Sequence, residues 1–179
     1  MKTLTLLRHA KSAWDDPVQR DFDRPLNTRG RRAAQTIGRE MRSLGLTFDR
    51  IIASPAVRVM ETLEDVAKGY GASLDPAFDK RIYLASTDVL LDLVHAAPDD
   101  ADRLLLVGHN PGLEKLALLL TTGEGLRAEL ALKYPTATLA EIELPVGRWS
   151  EVAEGKGTLS RFIRPRDLDP ELGPDEDSY

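Results

Sequence analysis

The stretch Leu4-Thr5-Leu6-Leu7-Arg8-His9 joins a short apolar run to a histidine, and Leu104-Leu105-Leu106-Val107-Gly108-His109 repeats this arrangement later in the chain. Short apolar runs of this kind are typical of buried strands in a parallel sheet. The carboxyl ends of parallel strands meet at one edge, where open α/β sheets bind ligands. The sequence therefore predicts that His9 and His109 lie side by side at that edge.

Strands and helices alternate over most of the remaining chain, which predicts a three-layer α/β fold with a mostly parallel central sheet and helices on both faces. The predicted strands cover residues 2–8, 50–53, 103–107, 138–144 and 158–163. One predicted helix follows Asn27-Thr28-Arg29-Gly30 and ends at Gly45. Three others follow capping signals at Ser54-Pro55, Ser86-Thr87 and Asn110-Pro111, and Gly69 and Gly71 end the first of these three. We expect one domain over residues 1–165 and a flexible acidic tail over 166–179.

Composition narrows the classes of function. The 179 residues contain no cysteine and three histidines, without a pattern of metal ligands, so we expect chemistry that uses neither a metal nor a cofactor. The net charge of −5 arises within residues 166–179, and the remainder is neutral overall, which does not favour binding to nucleic acid or a membrane surface. Because no secretion signal or membrane-length apolar run is present, we expect a cytoplasmic protein.

The side chains near the two histidines suit a phosphoryl group. Arg8 precedes His9, and Arg58 falls in the first turn of the helix that follows Ser54-Pro55. Guanidinium groups bind phosphoryl oxygens through paired, charge-assisted hydrogen bonds. A neutral imidazole is a competent nucleophile, so His9 is the candidate for attack on phosphorus. His109 would act either as a hydrogen-bond donor or as a charged electrophile, and Ser12 is a further candidate contact to the substrate.

These segments resemble the histidine phosphatases, also called the phosphoglycerate mutase-like superfamily. The resemblance lies in three segments and covers residues 1–165: Leu7-Arg8-His9-Ala10-Lys11-Ser12, Ser54-Pro55-Ala56-Val57-Arg58 and Gly108-His109-Asn110-Pro111. It implies that His9 is the phosphorylated nucleophile and that Arg8, Arg58 and His109 complete the phosphate pocket. The short length, with Asp21-Phe22-Asp23-Arg24-Pro25-Leu26 and Arg81-Ile82-Tyr83-Leu84-Ala85-Ser86, is similar to the SixA-like phosphohistidine phosphatases.

One departure from the family pattern bears on the substrate. Larger members carry a glutamate as general acid in a Glu-Arg-x-Tyr-like context, whereas this chain has Lys80-Arg81-Ile82-Tyr83, so the acid is missing or displaced to Asp79. An alkoxide leaving group needs a proton, but histidine, with a pKa of about 6.5, leaves with little help. The favoured substrate is therefore phosphohistidine in a protein. The alternatives are a phosphatase for small phosphate esters and a non-catalytic module that binds phosphorylated ligands.

Overall fold

The computed structural model of the protein describes residues 1–173, which form one sheet with helices on both faces. The strands are β1 (Lys2–Arg8), β2 (Arg50–Ala53), β3 (Ala77–Phe78), β4 (Arg103–Gly108), β5 (Leu139–Leu144) and β6 (Thr158–Ile163). The helices are α1 (Thr28–Ser43), α2 (Val57–Tyr70), α3 (Thr87–His95), α4 (Gly112–Leu120), α5 (Leu126–Leu132) and α6 (Pro165–Leu168). Within residues 1–173, no helix is long and apolar enough to cross a lipid bilayer.

The strand order is β3-β2-β4-β1-β5-β6. The first four strands in this order run parallel, and β5 and β6 are antiparallel to their neighbours. The predicted three-layer α/β architecture is thus confirmed. In the central pair, Arg8 of β1 lies opposite Gly108 of β4, so both strands end at the same edge.

Alternation of side chains along the strands divides the apolar core into two layers, because successive residues of a strand point to opposite faces. Leu4 and Leu6 of β1 belong to the layer that packs against α3 and α4. Leu7 belongs to the layer that packs against α1 and α2. All three leucines are fully buried. The sheet is therefore covered on both faces, as a mostly parallel sheet requires.

Helices α1 and α2 approach each other unusually closely at two glycines. A Cβ atom added to Gly38 of α1 would lie 2.1 Å from the carbonyl oxygen of Val66, and one added to Gly69 of α2 would lie 2.0 Å from that of Gln35. Backbone atoms cannot move aside as a flexible side chain does. The close packing of this pair, which holds Arg58 over the sheet, therefore depends on the absence of side chains at both positions.

We expect Gly38→Ala to lower the free energy of unfolding by about 2 kcal/mol, because the new methyl group overpacks the contact between the helices. This loss opposes the gain of about 1 kcal/mol that alanine brings to a helix interior. Gly147→Ala is the control, since a Cβ atom there would come no closer than 3.9 Å to a residue other than its chain neighbours, at the Glu151 side-chain oxygen. Urea denaturation measures both variants, and an unchanged midpoint for Gly38→Ala would contradict the packing argument.

Two predicted caps differ from the structure. Helix α2 begins at Val57 rather than Pro55, and its N-cap residue is Ala56. Helix α4 begins at Gly112, after an N-cap at Pro111. The polar residue before each proline still accepts a backbone N–H near the start of the helix, Ser54 Oγ from Ala56 at 3.3 Å and Asn110 Oδ1 from Glu114 at 3.2 Å. Each also has a second partner, because the Ser54 hydroxyl contacts His109 and the Asn110 amide donates to the carbonyl of Tyr134. The cap predicted at Ser86 is confirmed, and the structure shows a further side-chain cap at Asn27, at the start of α1.

The first part of the predicted flexible tail is folded onto the domain, which corrects the boundary at residue 165. Helix α6 and a following 3-10 turn, Pro170–Leu172, pack beside α1. Leu172 is buried in the core layer of α1 and α2, and Arg32 of α1 pairs with Asp169 at 2.5 Å and Glu171 at 2.8 Å. The acidic composition predicted flexibility for this segment, but Arg32 of the neighbouring helix α1 pairs with two of its carboxylates and holds it in place. The remainder of the predicted tail, 174–179, lies outside the described residues.

Candidate active site

The carboxyl ends of β1 and β4 bring the two predicted histidines together. His9 directly follows β1, and its backbone N–H donates to the carbonyl of Gly108 at 3.1 Å, which continues the ladder between the strands. The imidazole rings have a centroid separation of 5.3 Å and an interplanar angle of 56°. Both rings are buried. The two imidazoles are therefore close enough for one small group to contact both.

Arg8 is held by the backbone of a distant segment. Its side chain is buried, and Nη1 donates to the carbonyl oxygen of Tyr134 at 2.8 Å. The Tyr134 hydroxyl in turn donates to the carbonyl of Leu6 at 2.8 Å, which fixes this segment against β1. A buried guanidinium without hydrogen-bond partners would be costly. The Tyr134 segment thus orients the cation next to His9.

Arg58, in the first turn of α2, contacts His109 and a loop that precedes α1. Its Nη2 lies 3.3 Å from His109 Nδ1 and 3.0 Å from Asp21 Oδ2, and Nη1 donates to the backbone carbonyl of Asp21 at 2.7 Å. Among the described residues, the buried Nε atom has no hydrogen-bond partner. An unsatisfied donor on a buried cation is expensive and points to a ligand that accepts its hydrogen bond.

His9 is kept neutral with one ring nitrogen available for attack. Nδ1 lies 2.8 Å from the carbonyl oxygen of Ala10, so this nitrogen carries the proton and Nε2 retains its lone pair. Burial lowers the pKa of His9 well below its usual value, and the positive charge of Arg8 lowers it further. The nucleophilic form is thus the dominant form at neutral pH.

His109 is also neutral in this arrangement. An arginine can only donate, so Arg58 Nη2 donates to Nδ1, and the proton of His109 resides on Nε2, which donates to the Ser54 hydroxyl at 2.8 Å. Burial and the charge of Arg58 lower the pKa of His109 to about 3. The sequence left two roles open for His109, a hydrogen-bond donor and a charged electrophile. A neutral His109 is not a charged electrophile before an anion binds.

The sequence did not identify Asp21 and Tyr83 as parts of the site. Asp21 Oδ2 accepts hydrogen bonds from Arg58 and from the Tyr83 hydroxyl at 2.5 Å, and the Tyr83 ring meets His109 edge-on at 5.4 Å. Burial opposes ionisation of Asp21, but hydrogen bonds from Tyr83 and Arg24 outweigh it and lower the pKa to about 2. Both residues lie in the two segments that are similar to the SixA-like phosphatases, but that similarity gave no reason to place Asp21 beside Arg58.

Ser12 lies at the edge of this group and contacts an arginine. Its buried hydroxyl accepts a hydrogen bond from Arg24, whose Nε and Nη2 donate to Asp21 Oδ1 at 3.1 and 3.0 Å. Arg24 also covers the ring of Trp14. Ser12 therefore helps to orient Arg24 in this structure, and its contact with substrate stays a prediction.

The candidate acid Asp79 is paired with Arg81. Its carboxylate receives hydrogen bonds from Arg81 Nε and Nη2, the shortest at 2.7 Å, and these lower its pKa. A carboxylate that is held ionised is a poor proton donor. Among residues 1–173, moreover, no group of three or more histidine and acidic side chains is arranged to hold a metal ion.

Comparison with known proteins places the chain in a family. The model of the histidine phosphatase superfamily (branch 1) matches residues 4–83. An uncharacterised protein of Mycobacterium tuberculosis is 32% identical over 164 residues, which cover 89% of this chain and all of that protein. The chain belongs to the histidine phosphatase superfamily, and it is a phosphatase of this class.

Solved structures show which members of that superfamily this chain is similar to. The putative phosphohistidine phosphatase SixA of Agrobacterium tumefaciens is 29% identical, with a TM-score of 0.78 over 92% of this chain and 98% of that chain. Its putative counterpart from Nakamurella is 28% identical, with a TM-score of 0.79 over 92% of this chain and 96% of that chain. The resemblance to the SixA-like branch is thus confirmed by structure as well as by sequence.

We expect neither site histidine to take up a proton in the free protein as the pH falls from 8 to 5, because both pKa values are lowered. Bound orthovanadate should raise the pKa of His109, since an adjacent anion favours the charged imidazolium. Two-dimensional NMR of the imidazole nitrogens measures both effects, with His9→Ala and His109→Ala used for assignment. Protonation of either free ring near pH 6.5 would contradict the assigned burial and charge.

Proposed function

We propose that this protein is a metal-independent phosphatase that transfers a phosphoryl group to His9 and then to water, and that its substrate is phosphohistidine in a protein. The proposal is carried by one observation. Neutral His9, with a lone pair on Nε2, directly follows Arg8, and its ring centroid lies 5.3 Å from that of His109. Arg58, whose buried Nε is unsatisfied, contacts His109. A nucleophile is thereby combined with cationic hydrogen-bond donors for the phosphoryl oxygens.

In the first step, the lone pair of His9 Nε2 forms a bond to phosphorus while the bond to the leaving group breaks in line with it. Negative charge on the three other phosphoryl oxygens faces the guanidinium groups of Arg8 and Arg58. Hydrogen bonds from charged donors are worth roughly 1.5–3 kcal/mol each. These arginines are already buried and oriented, so little reorganisation accompanies the reaction.

In the second step, water attacks the phosphorus of phospho-His9, and the electron pair of the P–N bond returns to Nε2. Inorganic phosphate leaves, and the proton lost by water passes to solvent or phosphate. The hydrogen bond from His9 Nδ1 to Ala10 holds the ring in place through both steps. His109, next to His9, stabilises the phosphoryl oxygens once the bound anion has raised its pKa.

The leaving group is inferred from two carboxylates, Asp79 as the candidate acid and Asp21 as the partner of Arg58. Asp79 is paired with Arg81, and Asp21 is ionised between Arg58, Arg24 and Tyr83, so neither supplies a proton readily. A phosphate ester would release a strongly basic alkoxide, whereas histidine is a weak base that leaves without a strong acid. Two structural neighbours bear the name putative phosphohistidine phosphatase, which supports the same substrate class.

We expect a phosphohistidine donor protein labelled with ³²P to transfer acid-labile label to His9. The His9→Ala variant should take up no label, and its turnover should fall at least about a thousandfold because the nucleophile is lost. His95→Gln is the matched control, since this third histidine lies outside the site and bonds to the carbonyl of Val152. The assay includes EDTA, which should leave turnover unchanged.

Equal labelling of the native protein and His9→Ala would overturn the proposed mechanism. A larger kcat/KM for sugar or nucleotide phosphates than for phosphohistidine would favour a phosphatase for small esters. Tight binding of vanadate without turnover of any substrate would favour a binding module. The three functions are thus separated by one set of assays.

We expect Asp79→Asn to leave the pH–rate profile unchanged and kcat within about twofold, because the Asp79 carboxylate is held ionised by Arg81 and donates no proton in the reaction. The profile is measured with phosphohistidine between pH 5 and 9. Loss of the basic limb in this variant, with the acidic limb retained, would identify Asp79 as the general acid and would favour ester substrates.

A further inference from the structure

Asp21 introduces a fixed negative charge next to the guanidinium groups of Arg58 and Arg24. Both of its carboxylate oxygens accept hydrogen bonds: Oδ1 from Arg24, and Oδ2 from Arg58 and Tyr83. A carboxylate among phosphate-binding arginines weakens the attraction for a bare phosphoryl anion. Positioning of Arg58 alone would not require this charge, because the backbone carbonyl of Asp21 already accepts from its Nη1 at 2.7 Å.

The carboxylate of Asp21 lies on the solvent side of the arginines. The Asp21 side chain is 41% exposed, whereas those of Arg58 and Arg24 are 3% and 5% exposed. Tyr83, which donates to Asp21, also contacts the ring of His109. A substrate that brings its phosphoryl group to the buried imidazoles therefore leaves the rest of the molecule near the Asp21 carboxylate.

We propose that Asp21 determines specificity by selecting a phosphoryl group carried on a protonated nitrogen base, namely the phosphoimidazolium form of phosphohistidine. This inference rests on the proposed function and names the form of the substrate that the site takes. The carboxylate attracts the cationic ring at the mouth of the site, while the arginines behind it attract the phosphoryl oxygens.

The protonated ring also removes the need for a general acid. His9 Nε2 forms its bond to phosphorus, the substrate P–N bond breaks, and the electron pair of that bond remains on the departing nitrogen. Because the other ring nitrogen already carries a proton, the product is neutral imidazole and no further proton is required. By selecting a substrate whose leaving group is already protonated, Asp21 thus replaces the proton donor that the cleavage of a phosphate ester requires.

The test uses two measurements on Asp21→Asn, for which the proposal predicts opposite changes. In Asp21→Asn, kcat/KM for N-phosphoimidazole should fall about tenfold, because one charge-assisted contact is lost. The inhibition constant of inorganic phosphate should instead improve about threefold, because a repelling carboxylate has been removed from an anion site. Asp21→Glu, which keeps the charge, should recover more of kcat/KM than Asp21→Asn.

Asp23→Asn is the matched control. Asp23 lies on the same 3-10 turn, its side chain is 40% exposed, and it pairs with Arg20 at 2.9 Å rather than with the site. It should match the wild type in both measurements. Thermal unfolding of each variant checks that the fold is retained.

Three results would overturn the inference. Parallel losses of turnover and of phosphate affinity in Asp21→Asn would show that Asp21 only holds Arg58 in place, and parallel gains would show that its charge merely repels substrates. Both leave the proposed function intact. A wild-type protein that hydrolyses phosphate esters but neither N-phosphoimidazole nor phosphohistidine would instead refute the proposed function, and the inference would fall with it.

Discussion

The site depends on the parallel pairing of β1 with β4 in a single register. Arg8 lies opposite Gly108, and the hydrogen bond from His9 to Gly108 carries the ladder one residue beyond the strand. A shift of one residue would turn the side chains of β1 to the opposite face and would bury polar groups in the apolar layers. The hydrophobic pattern of the strands therefore fixes the distance between the imidazoles.

Burial then gives these side chains their chemical properties. Removal of water costs free energy for every charge, so the arginines persist only with partners, which Tyr134 supplies to Arg8 and Asp21 supplies to Arg58. The same desolvation lowers the pKa values of both histidines. An apolar environment with fixed cations thus keeps both imidazoles neutral beside strong hydrogen-bond donors for an anion.

Features encoded locally were predictable, whereas features that depend on distant contacts were not. The strands that end just before His9 and His109 were evident from apolar runs followed by polar residues, and α1 was evident from its helical spacing. The two-residue strand β3 and helix α5 lack such a pattern. The hydrogen bond between Ser54 and His109 could not be predicted, because it depends on which strands are neighbours in the sheet. Asp21 was missed because its partners Arg58 and Tyr83 come from other parts of the chain.

The contrast between Asp79 and Asp21 connects the missing acid with the chemistry of the site. Both carboxylates are held ionised by arginine, but the arginine of Asp79 is exposed and outside the site, whereas that of Asp21 is buried and contacts His109. A site that retains a negative charge here gives up part of its attraction for phosphate. This weaker attraction is consistent with a substrate whose leaving group is a protonated nitrogen base, because the same carboxylate then binds the cationic part of the substrate that departs.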